Sequence, residues 1–194
     1  ADPGNPGLMQ RAFLAQVVDG KTAEALDLAE KLVKLQDSNA FGRLALALTA
    51  LKQNDYDAAR AHLDALAESR LTQILRPLLL AWVEAGAALH YAKLGHGDRA
   101  REILADGDLS DQNTEALTAA LAAAEAGQQA KGLVSSASDG VAEALFDIAS
   151  ALQRDRGSEI ALIYARFALY MRPDFPLARL LVGEILDDRG RHGD

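Results

Sequence analysis

Apolar residues recur every three or four positions along this chain, in segments separated by short polar turns. One such turn, Gly20-Lys21-Thr22-Ala23-Glu24-Ala25, is followed 34 residues later by Asn54-Asp55-Tyr56-Asp57-Ala58-Ala59, and each turn joins two apolar segments. A fixed period of this length, with a helix on either side of a tight turn, is typical of helical repeats. We therefore predict an all-α fold, an α-solenoid of antiparallel helix pairs.

Small residues recur in the second helix of each unit, where neighbouring helices must approach closely. They are Ala25 and Ala29 in the unit that begins at Pro6, Ala59 in the unit that begins at Ala40, and Ala161, Ala165 and Ala168 in a unit that begins at Ala142. Pro3 and Pro173 close two units and lie 170 residues apart, which is five periods. Both ends of the sequence fall inside a repeat, so we expect a piece of a longer array.

The pattern divides the chain into three parts. We predict a helical array over residues 1–126, a linker over residues 127–140, and one complete unit plus the first helix of another over residues 141–194. Polar, glycine-rich and serine-rich sequence marks the linker.

Residues 71–110 depart from the period. Trp82 with Gly86, and Tyr91 with Gly95, each look like the end of a first helix, yet no second helix fits between them. Either residues 71–94 form one fused helix of roughly 35 Å, or residues are absent near 86–88, the alternative preferred from the sequence. Because proline is costly deep inside a helix, Pro77 predicts a helix start between Gln73 and Arg76.

Composition excludes several function classes. The formal charge of −8 and the absence of a Lys/Arg cluster argue against nucleic-acid binding. The chain has no cysteine, so it has neither disulfides nor thiolate sites. The longest apolar stretch, residues 74–92, contains Arg76, Pro77 and Glu84 and is unsuited to span a membrane.

No motif for catalysis, cofactor binding or metal binding stands out. The four histidines have no partner at metal-ligand spacing: His62, His90, His96 and His192. The serines at 135, 136 and 138 lie in the predicted linker without a base, and no phosphate-binding loop is present. We expect the chain not to be an enzyme. Tyr164, Phe167, Tyr170 and Phe175 are expected to pack between helices.

The chain resembles tetratricopeptide-repeat proteins. The resemblance rests on an apolar residue, a large and small pair and a further apolar residue in each first helix, then alanines and a closing proline, as in Leu145, Ile148, Ala149, Leu152 and Pro173. Residues 135–146 and 168–178 resemble long alphaproteobacterial repeat proteins without an assigned activity. The resemblance implies a right-handed superhelix, a bacterial protein and, since such proteins often carry export signals, a periplasmic location.

In this family the first helices line a concave face that holds a partner. The positions that the resemblance implies in the amino-terminal groove are mostly apolar: Gly7, Gln10, Leu14, Val17, Val18, Phe41, Leu44, Leu48, Leu51 and Lys52. Missing upstream repeats, or the superhelix itself, could equally cover these residues. The carboxyl-terminal positions are more polar: Glu143, Phe146, Ser150, Gln153, Arg154, Leu177, Leu180, Glu184, Asp187 and Asp188. A solvated helix face would explain the charged ones equally well.

These positions predict a non-catalytic scaffold that binds a peptide, helix or protein partner on its concave face. The alternative is a shuttle for lipids or other apolar ligands, with the trough of Leu14, Val18, Phe41 and Leu48 as its binding site. Chaperone-binding members of the family use lysine and asparagine to hold a carboxylate. The matching positions here are mostly Leu, Val and Gln, which argues against that mode.

Overall fold

A computed structural model of the chain describes residues 5–106, 118, 122, 136–154 and 158–190, and all regular secondary structure within them is helical. The helices are α1 (Pro6–Val18), α2 (Leu26–Leu35), α3 (Ala40–Lys52), α4 (Tyr56–Asp64), α5 (Arg70–Lys93), α6 (Gly97–Asp106), α7 (Ala137–Arg154), α8 (Ser158–Met171) and α9 (Pro176–Asp188). The all-α prediction is confirmed for this part of the chain.

The turns after α1, α3 and α5 have one conformation in common. Each contains a residue with positive φ: Gly20 at 81°, Asn54 at 60° and Gly95 at 82°. In all three, the amide of this residue and that of the next one bond back to the last helical turn, the pattern of a Schellman motif. The 34-residue spacing of Gly20 and Asn54 therefore corresponds to a repeated structural turn.

One continuous helix, α5, spans the irregular middle of the chain. This is the fused helix, one of the two alternatives that the sequence left open. It begins at Arg70, before the predicted range of 73–76, because Ser69 and Thr72 form a capping box that satisfies the first amides. Pro77 lies inside the helix.

Helix α5 also continues beyond the position at which a 34-residue repeat would end it. Gly86 lies 34 residues after Lys52, the last residue of α3, yet α5 continues for seven more residues to Lys93. Seven residues are close to two helical turns. The added residues therefore continue the same helix face before the Gly95 turn repeats the earlier turns.

The amino-terminal end of α7 crosses α5 at two glycines. A Cβ atom at Gly86 would lie 2.6 Å from Cβ of Ala137, and one at Gly140 would overlap the ring of Trp82. Helix α7 begins at Ala137, inside the predicted linker 127–140, of which residues 127–135 lie outside the described part. Close helix contact therefore begins before the predicted linker ends.

Helix α8 lies at the centre of one continuous core that joins both ends of the chain. It packs against its neighbours α7 and α9 and also against α1 and α3. Nearly every side chain from Ala161 to Ala168 is buried, as expected of a helix that is apolar on all sides. In a linear repeat array each unit contacts only its neighbours, so the contacts of α8 with α1 and α3 are an additional closure of the fold.

Candidate interaction surfaces

Helix α8 covers the amino-terminal face that the sequence predicts as a groove. Five of its predicted residues are buried, with side-chain exposures of 8% or less: Val17, Val18, Leu44, Leu48 and Leu51. Gln10, Leu14 and Phe41 are half-buried, and Lys52 remains exposed. The five buried residues do not line an open groove, and α8 of the same chain packs against both α1 and α3. Their burial agrees with the alternative in which the fold itself covers them.

Tyr164 and Tyr170 of α8 make two of the side-chain contacts that hold it there. The ring centroids of Tyr164 and Phe41 are 6.0 Å apart, and burial raises the pKa of Tyr164 to about 12. The hydroxyl oxygens of Tyr170 and Thr49 lie 3.1 Å apart. Lys52 Nζ donates to the main-chain oxygen of Tyr170 at 2.8 Å and also lies over its ring. These contacts join residues more than 100 positions apart in the sequence.

Arg166 of α8 contacts the first repeated turn. Its Nε donates to the carbonyl oxygen of Val18 at 2.8 Å. A Cβ atom at Gly20 would lie 3.1 Å from Nη1 of Arg166, so the glycine provides both the left-handed turn and the space for the guanidinium. A cavity of about 340 Å³ opens beside this contact, with Thr22, Glu24 and Lys52 in its wall.

The carboxyl-terminal positions belong to two neighbouring helices, α7 and α9. Phe146 of α7 packs against Phe175, the residue before α9, with ring centroids 5.1 Å apart. Arg172 lies over the Phe175 ring and pairs with Glu143 at 2.8 Å. The expectation that Tyr164, Phe167, Tyr170 and Phe175 pack between helices is confirmed, since all four belong to the core or pack against it.

The outer part of the same surface is open. Gln153 Nε2 donates to Asp188 Oδ2 at 3.4 Å, and Arg154 is exposed. Leu177 and Leu180, three residues apart on one face of α9, are 55% and 60% exposed. We name the surface of Phe146, Ser150, Gln153, Leu177, Leu180 and Glu184 the α7–α9 face.

A second concave site, which the sequence did not predict, lies beside the Asn54 turn. It has a volume of about 280 Å³ and its wall consists of Gln53, Asn54, Asp55, Tyr56, Asp57, His90 and Tyr91. We call it the aromatic cleft. Its rings contact one another, with centroids 5.6 Å apart for Tyr56 and His90 and 6.0 Å for His90 and Tyr91. Partial burial raises the pKa of Tyr56.

The histidines have structural neighbours of different kinds. His62 Nδ1 lies 3.2 Å from Arg43 Nη1, and burial together with the positive charge of Arg43 lowers the pKa of His62. His90 and His96 both contact Tyr91, and His192 lies outside the described residues. Across the described ranges, no three His, Asp or Glu side chains are grouped so as to hold a metal ion.

No helix among the described residues is both long and apolar enough to cross a bilayer. Comparison of the chain with protein-family models, with curated proteins and with solved structures gives no match.

Proposed function

We propose that this chain is a non-catalytic scaffold of the tetratricopeptide type, an α-solenoid of antiparallel helix pairs that binds a protein partner. The Schellman turns at Gly20, Asn54 and Gly95, each between two helices, support the repeat assignment. Gly190 after α9 has the same left-handed backbone, with φ of 69°. A residue with left-handed backbone after a helix thus occurs at both ends of the described chain.

The partner binds on the α7–α9 face. The observation that carries this proposal is the exposure of Leu177 and Leu180 beside the half-buried Phe146 and Gln153. Exposed apolar side chains close together on a surface favour association, since covering them removes apolar area from water. Helices α1 and α3 do not offer such a surface where α8 packs against them.

The charge on this face selects the chemistry of the partner. Glu184, Asp187 and Asp188 follow Leu180 on the same side of α9 and are all exposed. A segment that matches this stripe has apolar side chains for the two leucines and Lys or Arg for the carboxylates. We therefore expect an amphipathic, basic helix or peptide.

The alternative function, a shuttle for lipids, needs an open apolar trough at Leu14, Val18, Phe41 and Leu48. In the described residues α8 packs against α1 and α3, the helices that carry this trough, and charged side chains lie in the walls of both cavities described above. These features favour the scaffold over the shuttle.

A cross-linking experiment tests the proposal. A photo-reactive amino acid at position 180 should capture a protein whose cross-linked segment is apolar and basic, and Leu180→Glu should abolish binding of that segment made as a peptide. Leu35→Glu is the matched control, because Leu35 is a similarly exposed leucine, 53%, on α2. The proposal would be contradicted if both variants lost peptide binding equally. It would also be contradicted if mass spectrometry found a stoichiometric lipid in the purified protein.

A further inference from the structure

The aromatic cleft exists because α5 is longer than the repeat requires. His90 and Tyr91 belong to the seven residues that follow Gly86, beyond the position where a regular first helix ends. They therefore lie beside the Asn54 turn of the preceding hairpin. A regular unit would have ended before it could provide these two rings.

Two features of the chain place Tyr56 against these rings. A Cβ atom at Gly86 would lie 2.8 Å from Cε1 of Tyr56, so only glycine leaves the tyrosine ring enough room against α5. On the other side, the Tyr56 hydroxyl donates to Oδ1 of Asn54 at 3.1 Å. Asn54 has the left-handed backbone of the turn, which orients this amide. The position of the ring is thus fixed from both sides.

The cleft has negative charge, and its wall contains His90 but no lysine or arginine. Asp55 and Asp57 contribute two carboxylates, and Asp55 accepts the amide of Ala58 at 3.0 Å, which fixes its orientation. Arg99 lies near the cleft and pairs with Glu102 at 2.6 Å. The pKa of Arg99 is raised mainly by Glu102, and further by the charges of Tyr91 and Asp57. The cleft therefore attracts positive charge.

We propose that the aromatic cleft binds an alkylammonium group, either a free quaternary amine or the side chain of a lysine or methylated lysine on a protein. Aromatic faces attract such cations through the ring quadrupole, and their methyl groups favour contact with the rings. The two carboxylates add attraction over a longer range. Anions are repelled by the same carboxylates, and neutral molecules lack the charge that these carboxylates attract. This inference does not depend on the proposed function, which concerns the α7–α9 face.

Choline is the first probe. Titration of the intact protein, followed by the NMR signals of the His90 and Tyr91 ring protons, should show saturable binding at millimolar concentration. The neutral isostere 3,3-dimethyl-1-butanol has the same shape without the charge, and we expect it to bind about tenfold more weakly. Equal binding of choline and the alcohol, at this site, would overturn the proposal.

Two variants separate the cleft from general surface charge. Asp57→Asn keeps the shape of an exposed side chain and should weaken choline binding about three- to tenfold. Asp27→Asn is the matched control, because Asp27 is also the second residue of its helix, α2, but does not line the cleft. An equal effect of both variants, or no effect of Asp57→Asn, would overturn the proposal.

A second titration identifies the source of the cation. Short peptides that contain lysine or trimethyllysine are compared with choline at the same ring protons. Tighter binding of a peptide indicates a protein ligand, and tighter binding of choline indicates a free amine; both outcomes support the proposal. If neither choline nor either peptide shows saturable binding, the proposal is overturned.

Discussion

A methyl group added at Gly140 would occupy space that the indole ring of Trp82 already fills. This relationship joins α7 to α5 across a long separation in the sequence and brings the carboxyl-terminal helices onto the amino-terminal ones. Gly86 allows a second close approach on the same helix, to Ala137. The contact between α5 and α7 therefore depends on two residues without side chains.

Gly140→Ala should lower the free energy of unfolding by about 1–3 kcal/mol, because the added methyl overpacks a filled contact. Urea unfolding followed by circular dichroism measures the change. Gly183→Ala is the control, since Gly183 lies inside α9 with no atom within 4 Å of its added Cβ. The free energy of unfolding of that variant should rise by up to about 1 kcal/mol, because alanine has a higher helix propensity than glycine. Equal effects of the two variants would show that the Trp82 contact is unimportant.

Gly95→Ala tests the left-handed turn alone, because the added Cβ meets no atom within 4 Å while φ is 82°. The variant should lose about 1 kcal/mol of stability from backbone strain. Gly95→Asn should lose less, since asparagine adopts this conformation more readily and already does so at position 54. Thermal melts of both variants provide the comparison. If Gly95→Ala and Gly95→Asn lost the same stability, backbone strain at this position would not be the cause.

Ala59→Leu should cost about 1–3 kcal/mol, because Ala59 is fully buried where α4 packs on its neighbours. Ala61→Leu, two residues further along the same helix, is the control because Ala61 is exposed. We expect the control to change stability by less than about 0.5 kcal/mol. Thermal unfolding of the two variants measures both values. An unchanged melt for Ala59→Leu would mean that position 59 is not a close helix contact.

His62 makes stability depend on pH. The pKa of His62 is lowered in the folded protein by burial and by Arg43, below its ordinary value of 6.5. The unfolded chain therefore takes up this proton more readily, and stability falls as the pH decreases below 6.5. His62→Asn should flatten this part of the stability profile. Urea unfolding measures the profile between about pH 7.5 and 5, roughly the range where a histidine titrates. An unchanged slope would exclude His62 as its source.

Much of the local structure could be predicted from the sequence. Gly20 and Asn54 mark equivalent turns because the backbone after each helix is left-handed, and glycine and asparagine adopt that conformation at the least cost. Apolar residues at helical spacing identified the helices on both sides. The start of α5 was predicted too late, because the cap formed by Ser69 and Thr72 outweighs the restriction at Pro77.

The candidate sites could be predicted only in part. Leu44 and Leu48 lie one helical turn apart in α3 and are both buried, but the sequence could not show that α8 packs against α3. The aromatic cleft was also missed, because Tyr56 and His90 belong to different hairpins and meet only through the extension of α5. Two aromatic residues at the end of an unusually long first helix were the one signal for it in the sequence.

Helical periodicity, turn residues and small residues at helix contacts could all be read from the sequence without coordinates. These features depend on backbone preference and on residues a few positions apart, so a short segment of sequence is enough to predict them. Which helix faces stay exposed depends instead on contacts between distant parts of the chain. The contacts of Tyr170 with Lys52 and of Arg166 with Val18 join residues 118 and 148 positions apart. Pairing over such distances depends on the shape and packing of whole helices, which no local periodicity encodes.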